Sequence, residues 1–130
     1  MIEQATAAEL EREVRRILGL LDAMDVRGLA ARLTDDAQGV DEISRSWIRG
    51  RAALDAYFAQ LEGTVSGVRS QLSDFHAATW DDVGLVTFVL DQTYKSNGQE
   101  QRITAPASMV FRRDDDDWKA VLIHAVPIPE

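Results

Sequence analysis

The sequence predicts an α+β fold in which three N-terminal helices pack on a strongly curved antiparallel sheet. The first 63 residues carry apolar side chains at helical spacing, whereas residues 68–126 contain extended segments rich in valine, threonine and aromatic residues. Asn97-Gly98 lies between two of these segments and is typical of a tight β-hairpin turn. Helices followed by hairpin-connected strands favour a layer of helices on one face of a sheet.

The first two helices are predicted from capping signals and apolar periodicity. Thr6 and Glu9 have the spacing of a capping box, which places the start of the first helix there. Asp25 can cap a short second helix, because its carboxylate can accept from a free backbone amide of the first turn. The apolar faces comprise Leu10, Val14, Ile17, Leu18, Leu21 and Met24 in the first helix, and Val26, Leu29 and Leu33 in the second.

The third helix is predicted between two glycines. Gly50 precedes it and Gly63 can end it, because glycine adopts the backbone conformations found at helix ends. Its inward face consists of Leu54, Tyr57, Phe58 and Leu61.

Four strands are predicted near residues 68–80, 84–94, 102–112 and 118–126. Asp81-Asp82 and the aspartates at 114–117 mark the turns on either side of the Asn97-Gly98 hairpin. Pro106 lies inside a predicted strand, where it cannot donate a backbone hydrogen bond, so a bulge or an edge position is expected there.

Composition restricts the classes of function. The 130 residues suit a single domain, and the net charge of −8 disfavours binding to nucleic acid or to an anionic membrane. The absence of cysteine excludes disulfides and thiolate catalysis. No apolar run reaches the roughly 20 residues of a membrane span, and the acidic N-terminal stretch MIEQATAAELEREV does not resemble a signal peptide. A cytoplasmic location is therefore expected.

Three stretches resemble the NTF2-like superfamily, in particular its SnoaL-like and ketosteroid-isomerase-like branch. They are LLDAMDVRGLAARLTDDA at 20–37, IRGRAALDAYF at 48–58 and MVFRRDDDDWKAVLIHA at 109–125. The resemblance implies a single domain over residues 1–130 with the cystatin-like cone fold, a curved sheet wrapped around a helix-lined pocket. It does not specify an activity, because this fold hosts isomerases, cyclases, dehydratases, hydrolases and non-catalytic modules.

Within this resemblance, Asp41 takes the place of the catalytic base. Steroid isomerases of this kind carry that aspartate soon after an Asp-Asp-Ala motif, and here Asp35-Asp36-Ala37 precedes Asp41 at the matching distance. If 38–43 is extended, Gly39, Asp41 and Ile43 share one face, and partial burial there would raise the pKa of Asp41 toward that of a base. The alternative is that Asp41 is an ordinary surface aspartate.

The isomerase's oxyanion hole, made of a tyrosine and a protonated aspartate, is not preserved. The tyrosine position corresponds to Ile17 and the aspartate position falls near Ser108, so one hydrogen-bond donor is lost and the other is weak.

Tyr57 on the third helix can direct its hydroxyl into the cone. His124 in the last strand is either a packed histidine, on one face with Trp118, Ala120 and Leu122, or a pocket-lining donor.

No cofactor or metal is expected. The histidines His76 and His124 do not have the spacing of a metal site, and the aspartates at 114–117 do not have it either.

The expected partners are an apolar small molecule in the cone pocket and a second copy of the chain on the sheet's outer face, with no nucleic acid or membrane. One hypothesis is a cofactor-independent isomerase, cyclase or lyase with Asp41 as general base and Ile17, Tyr57, Ser108 and His124 around the substrate. The alternatives are a non-catalytic binding or dimerisation module, and a small subunit of a larger oxygenase.

Overall fold

The computed structural model describes residues 4–41 and 46–125, and side chains for 6–40 and 46–125. The elements in chain order are α1 (Gln4–Asp22), α2 (Val26–Ala31), β1 (Leu33–Asp41), β2 (Ser46–Arg49), α3 (Arg51–Thr64), β3 (Val65–Trp80), β4 (Val83–Ser96), β5 (Gln99–Asp114) and β6 (Asp117–Ala125). None of the helices in these ranges has the length and apolar character needed to cross a membrane.

Six strands form one sheet in the order β2-β1-β6-β5-β4-β3. The four long strands β3 to β6 confirm the predicted antiparallel meander. The prediction of a purely antiparallel sheet is wrong, because β1 pairs with β6 in parallel. These two strands are separated in the chain by α3 and four strands, so no tight hairpin forces them to run in opposite directions.

The described residues form three helices, as predicted, but the helices do not all precede the sheet. β1 and β2 lie between α2 and α3, and neither was predicted as a strand. Their sequences, LTDDAQGVD and SWIR, hold few of the β-branched residues that favour strands. These strands therefore depend on tertiary pairing, with β6 for β1 and with β1 for β2.

The helix boundaries partly follow the capping signals. The Asp25 carboxylate accepts a hydrogen bond from the Gly28 backbone N–H at 3.0 Å, which confirms Asp25 as the N-cap of α2. Thr6 does not cap α1, because the helix already includes Gln4, a residue with good helix propensity. Leu33, predicted in the second helix, instead begins β1.

Two further boundaries differ slightly from the prediction. Met24 follows the end of α1 in a turn with a φ of 53°, so it is not part of the helix's apolar face. α3 continues through Gly63 to Thr64.

Irregular positions bend the long strands. The register of β3 with β4 shifts near Gly67, whose φ is 61°, and again near Asp74, whose φ is 56°. Such shifts increase the local twist and curve the sheet toward the helices. The bulge predicted at Pro106 does not occur in the pairing with β4, which runs through Val89 and Pro106 without a shift.

The core lies between the concave face of the sheet and α1. Val86 in β4 and Phe111 in β5 are fully buried, and so are Leu10 and Val14 in α1. Gly84 permits this close packing, because a Cβ built at Gly84 would lie 3.0 Å from a methyl carbon of Leu10. The distance between α1 and β4 is therefore set by this close contact between Leu10 and Gly84.

A buried arginine joins the helices to the sheet. Arg32 directly follows α2, and its Nε lies 2.6 Å from a Glu13 carboxylate oxygen on α1. Its Nη2 lies 2.8 Å from Asp117 and donates to the Trp118 carbonyl at 2.7 Å, both on β6. Only a tenth of the Arg32 side chain is exposed. The position of β6 relative to α1 and α2 is therefore held by a network of charge-assisted hydrogen bonds.

Candidate functional site

A cavity of about 210 Å³ lies between the concave face of the sheet and the helices. Ile17, Leu18 and Leu21 contribute from α1, and Leu54 and Phe58 from α3. The inward side chains of β4 and β5 form the opposite wall, because alternate residues of a strand face the same side. The cavity thus occupies the space that the curvature of the sheet opens beside the core.

The lining is predominantly apolar and, over the part of the chain described, contains no aspartate, glutamate, lysine or arginine side chain. The polar residues in the wall are Gln38, Tyr57, Gln92, Tyr94 and His124. An apolar, uncharged wall disfavours a charged ligand, because an ion would lose its hydration without gaining a partner. The site is therefore suited to a neutral and largely apolar molecule.

Ile17 and Tyr57, both predicted around the substrate, line the cavity. Ile17 is 2% exposed and offers only an apolar surface where the steroid isomerases carry a tyrosine. The Tyr57 ring contacts the ring of Phe58, with their centroids 5.9 Å apart. These two positions therefore contribute shape, and Tyr57 adds a hydroxyl.

Ser108 does not line the cavity, contrary to the prediction. Its neighbours Ala107 and Met109 do, and side chains alternate along β5, so Ser108 lies on the outer face of the sheet. The resemblance placed the aspartate position only near Ser108, and a displacement of a single residue is enough to exchange the two faces of a strand.

His124 borders the cavity, but the predicted face was only partly right. Ala120 pairs with Phe111 and Leu122 with Val110, so Val121 is an extra residue that changes the alternation of β6. His124 consequently shares a face with Leu122 and with its paired residue Ser108, the outer face of the sheet, and not with Trp118 and Ala120. Its ring centroid is 6.2 Å from that of Trp47, a residue of β2 that is 49% exposed.

The side chain of Asp41 lies outside the described residues, as do residues 42–45, which include Ile43. The backbone of Asp41 is the last residue of β1 and pairs with Ser46. Gly39 and Val40, which precede it, line the cavity. The role assigned to Asp41 remains a prediction.

His76 lies away from the cavity, on the surface. Its side chain is 78% exposed and its Nε2 is 3.3 Å from an Asp74 carboxylate oxygen.

A partly buried polar chain behind the cavity wall was not predicted. The Asp22 carboxylate at the end of α1 accepts hydrogen bonds from the Ser70 backbone N–H at 3.0 Å and from the Ser70 hydroxyl at 2.7 Å. The Gln92 amide nitrogen donates to the same hydroxyl oxygen at 3.1 Å. Gln92 is 8% exposed and lines the cavity.

One sequence signal could have revealed Gln92. It continues the alternate series Val86, Phe88 and Leu90, whose members all face the core, so a polar residue interrupts an apolar strand face. Such a residue is buried at a cost unless its polar atoms find partners.

Comparisons with known proteins agree on family and fold. A family model described as a SnoaL-like domain matches residues 12–129. A search of curated proteins finds no match.

Solved structures with a similar fold include a candidate dehydratase of the NTF2-like family from Streptomyces avermitilis. It is 19% identical, with a TM-score of 0.87 over 97% of this chain and 98% of the other. A ketosteroid isomerase-like protein from Erwinia carotovora atroseptica is 16% identical, with a TM-score of 0.83 over 98% and 100% of the two chains. An NTF2-like protein with a cystatin-like fold from Novosphingobium aromaticivorans is 18% identical, with a TM-score of 0.73 over 93% and 80%. At these identities the likeness concerns the fold.

Proposed function

The chain belongs to the SnoaL-like domain family, and we propose that it binds a neutral, largely apolar small molecule in the cavity. The uncharged lining of the described wall is the observation that carries this proposal. Apolar cavities of roughly 150 Å³ hold a benzene molecule. A volume of about 210 Å³ therefore suits a compound of one or two rings.

Binding can be tested with 2-methoxynaphthalene, an uncharged two-ring probe, by isothermal titration calorimetry. Ala107→Leu adds a larger side chain to the cavity wall and should weaken binding about tenfold or more, because the added carbons occupy the ligand's space. Ser108→Leu is the matched control on the outer face and should bind as the wild type does. Equal effects of the two variants, or no saturable binding to the wild type, would contradict the proposal.

We further propose that Asp41 transfers a proton to or from the bound molecule, as the general base of a cofactor-independent isomerase, cyclase or lyase. Two observations support this role. β1 reaches Asp41, and the preceding residues Gly39 and Val40 line the cavity. The steroid-isomerase oxyanion hole is not required for proton abstraction itself, although without it a slower reaction is expected.

This step can be measured as α-proton exchange of 2-tetralone, a two-ring ketone, in D₂O by NMR. Asp41→Asn should reduce the enzyme-dependent exchange rate by about 10²–10⁴, the usual contribution of a positioned base. Asp35→Asn, at a 94% exposed side chain of the same strand, should leave the rate unchanged. If the wild type binds the ketone without accelerating exchange, Asp41 has no catalytic role and the binding function stands alone.

The alternative function, a dimerisation module, is supported by the outer face of the sheet. That face, opposite the cavity, carries partly buried Leu85, Val89 and Val110. At its end Trp80 and Val83 are 60% and 41% exposed. A sheet that is apolar on both faces favours cover on both.

We therefore propose a homodimer formed through this face. Light scattering at micromolar concentration should give twice the mass of one chain. Val110→Lys should give a single-chain mass, and a single-chain mass for the wild type would refute the dimer.

A further inference from the structure

Gln92 is a buried polar residue of the cavity wall whose side-chain amide is bonded to a neighbouring strand. It is directly paired with Ser70 across β3 and β4, and Ser70 in turn is bound by Asp22 of α1. Neither Ser70 nor Asp22 lines the cavity, so Gln92 is where this polar chain meets the ligand space.

The hydrogen bonds determine which end of the Gln92 amide faces Ser70. A serine hydroxyl has one proton, and a carboxylate without its proton can only accept. At 2.7 Å from Asp22, the Ser70 hydroxyl donates that proton to the carboxylate. Its oxygen can then only accept from Gln92, so the amide nitrogen, and not the carbonyl oxygen, must face Ser70 at 3.1 Å.

The carbonyl oxygen Oε1 of Gln92 is consequently left without a donor among the described residues, although the side chain is more than nine-tenths buried. This oxygen is not one of the fully buried unpartnered side-chain atoms of the described residues, which are Thr34 Oγ1 and Trp118 Nε1, so it is accessible from the cavity. Gln92 also lines the cavity, where a ligand can reach it. The amide thus presents a fixed acceptor to the ligand.

We propose that Gln92 determines the ligand class by accepting a hydrogen bond from a hydroxyl or neutral N–H group of the bound molecule. This inference rests on the proposed binding function and makes it more specific: the cavity selects phenols, alcohols or related donors over ethers of the same shape. Ser70 and Asp22 act as positioning residues, because they hold the amide in the orientation that exposes its oxygen.

Gln92 and Asp41 lie on strands that are not neighbours, because β5 and β6 lie between β4 and β1 in the sheet. In this proposal the group that anchors the ligand at Gln92 is therefore distinct from the group that would react at Asp41.

The test compares 2-naphthol, which carries a donor, with 2-methoxynaphthalene, which does not. The wild type should bind 2-naphthol about fivefold more tightly, the effect of one neutral hydrogen bond. Gln92→Met keeps nearly the same shape without an acceptor, and it should reduce this ratio to about one while retaining affinity for 2-methoxynaphthalene. Gln71→Met, at an exposed position on the opposite face of β3, is the matched control and should keep the wild-type ratio.

The positioning role of Ser70 is tested by the ratio of the two probe affinities, because a general loss of stability would not change that ratio. Ser70→Ala should lower the ratio of the two affinities, since the amide is then free to turn, whereas Ser70→Thr, which keeps a hydroxyl, should restore it. A ratio that persists in Gln92→Met, or a wild type that binds both probes equally, would overturn the role of Gln92 and leave the binding function intact. If the wild type bound neither probe, the binding function and this inference would both be wrong.

Discussion

Arg32→Met tests the account of how the helices are held to the sheet. The substitution retains most of the aliphatic stem but removes the guanidinium that contacts Glu13, Asp117 and the Trp118 carbonyl. The Glu13 side chain is only 12% exposed, so without Arg32 its charge would remain buried, with the 60% exposed Arg16 at 3.9 Å as its remaining cationic partner among the described residues. Asp117 is 47% exposed and its carboxylate can be hydrated by water, so losing the Arg32–Asp117 ion pair contributes little to the destabilisation.

Removing one member of a buried ion pair costs about 3–5 kcal/mol, chiefly through the charge left behind. For Arg32→Met we expect about 3 kcal/mol, a large share of the roughly 5–15 kcal/mol that stabilises a domain of this size. The assay is urea unfolding followed by circular dichroism at pH 7. Arg27→Met, at an exposed position of α2, is the matched control and should change the free energy of unfolding by less than about 0.5 kcal/mol.

A double variant of Arg32 and Glu13 tests why Arg32→Met is destabilising. Adding Glu13→Gln to Arg32→Met removes the buried Glu13 charge and should recover part of the lost stability, whereas Glu13→Gln alone should be destabilising. If Arg32→Met were no more destabilising than Arg27→Met, the Arg32 network would not be holding α1 to β6. If the double variant showed simple additivity, the buried charge of Glu13 would not be the reason for the loss.

Three further predictions follow from the packing and the charges. The hydrogen bond from Arg32 lowers the pKa of Asp117 below its ordinary 3.8, so the folded state loses this stabilisation as pH falls below about 4. In urea unfolding measured against pH, the free energy of unfolding should therefore fall less steeply in acid for Arg32→Met than for the wild type. Gly84→Ala should lower the free energy of unfolding in urea by about 1–3 kcal/mol, because the new methyl group would meet Leu10 at 3.0 Å. Gly63→Ala in α3 has open space around the new methyl group and should raise it by about 0.5–1 kcal/mol. Asp25→Ala should cost about 1 kcal/mol by the same assay through loss of the α2 cap, and no change would contradict that role.

The sequence predicted those parts of the fold that depend on local patterns. The hairpin at Asn97-Gly98 was recognisable because both residues tolerate positive φ, and the structure gives them φ values of 51° and 83°. The cap at Asp25 was equally local. β1 could not be predicted, because its pairing with β6 depends on residues more than 80 positions away and its own sequence has little strand propensity.

The candidate site was predicted less completely than the fold, for a related reason. Ile17 was placed at the cavity by the resemblance, which gives it the position of the isomerase tyrosine, and helical periodicity agrees because it puts Ile17 and Tyr57 on the apolar faces of their helices. Ser108 was misplaced because the resemblance gave the aspartate position only to within about one residue, and the faces of a strand alternate at every residue. The face of His124 was misassigned because the extra residue at Val121 is set by pairing with β5, which no local pattern reveals.

Gln92 illustrates a different limit. Its polarity within an apolar strand face was visible, but its function depends on Ser70 and Asp22, which are brought to it by the register of β3 and by the end of α1. The orientation of its amide follows only from that hydrogen-bonded chain.

The most direct test of ligand binding in the cavity is methyl NMR of the protein titrated with 2-naphthol. We expect saturable shifts and intermolecular nuclear Overhauser effects at Ile17, Leu90 and Met109, which line the cavity. Leu85 and Val110, on the outer face of the same strands, should show neither. Contacts confined to the outer-face methyl groups, or no saturable shift at any cavity methyl group, would contradict the central claim that the cavity is a binding site for a largely apolar small molecule.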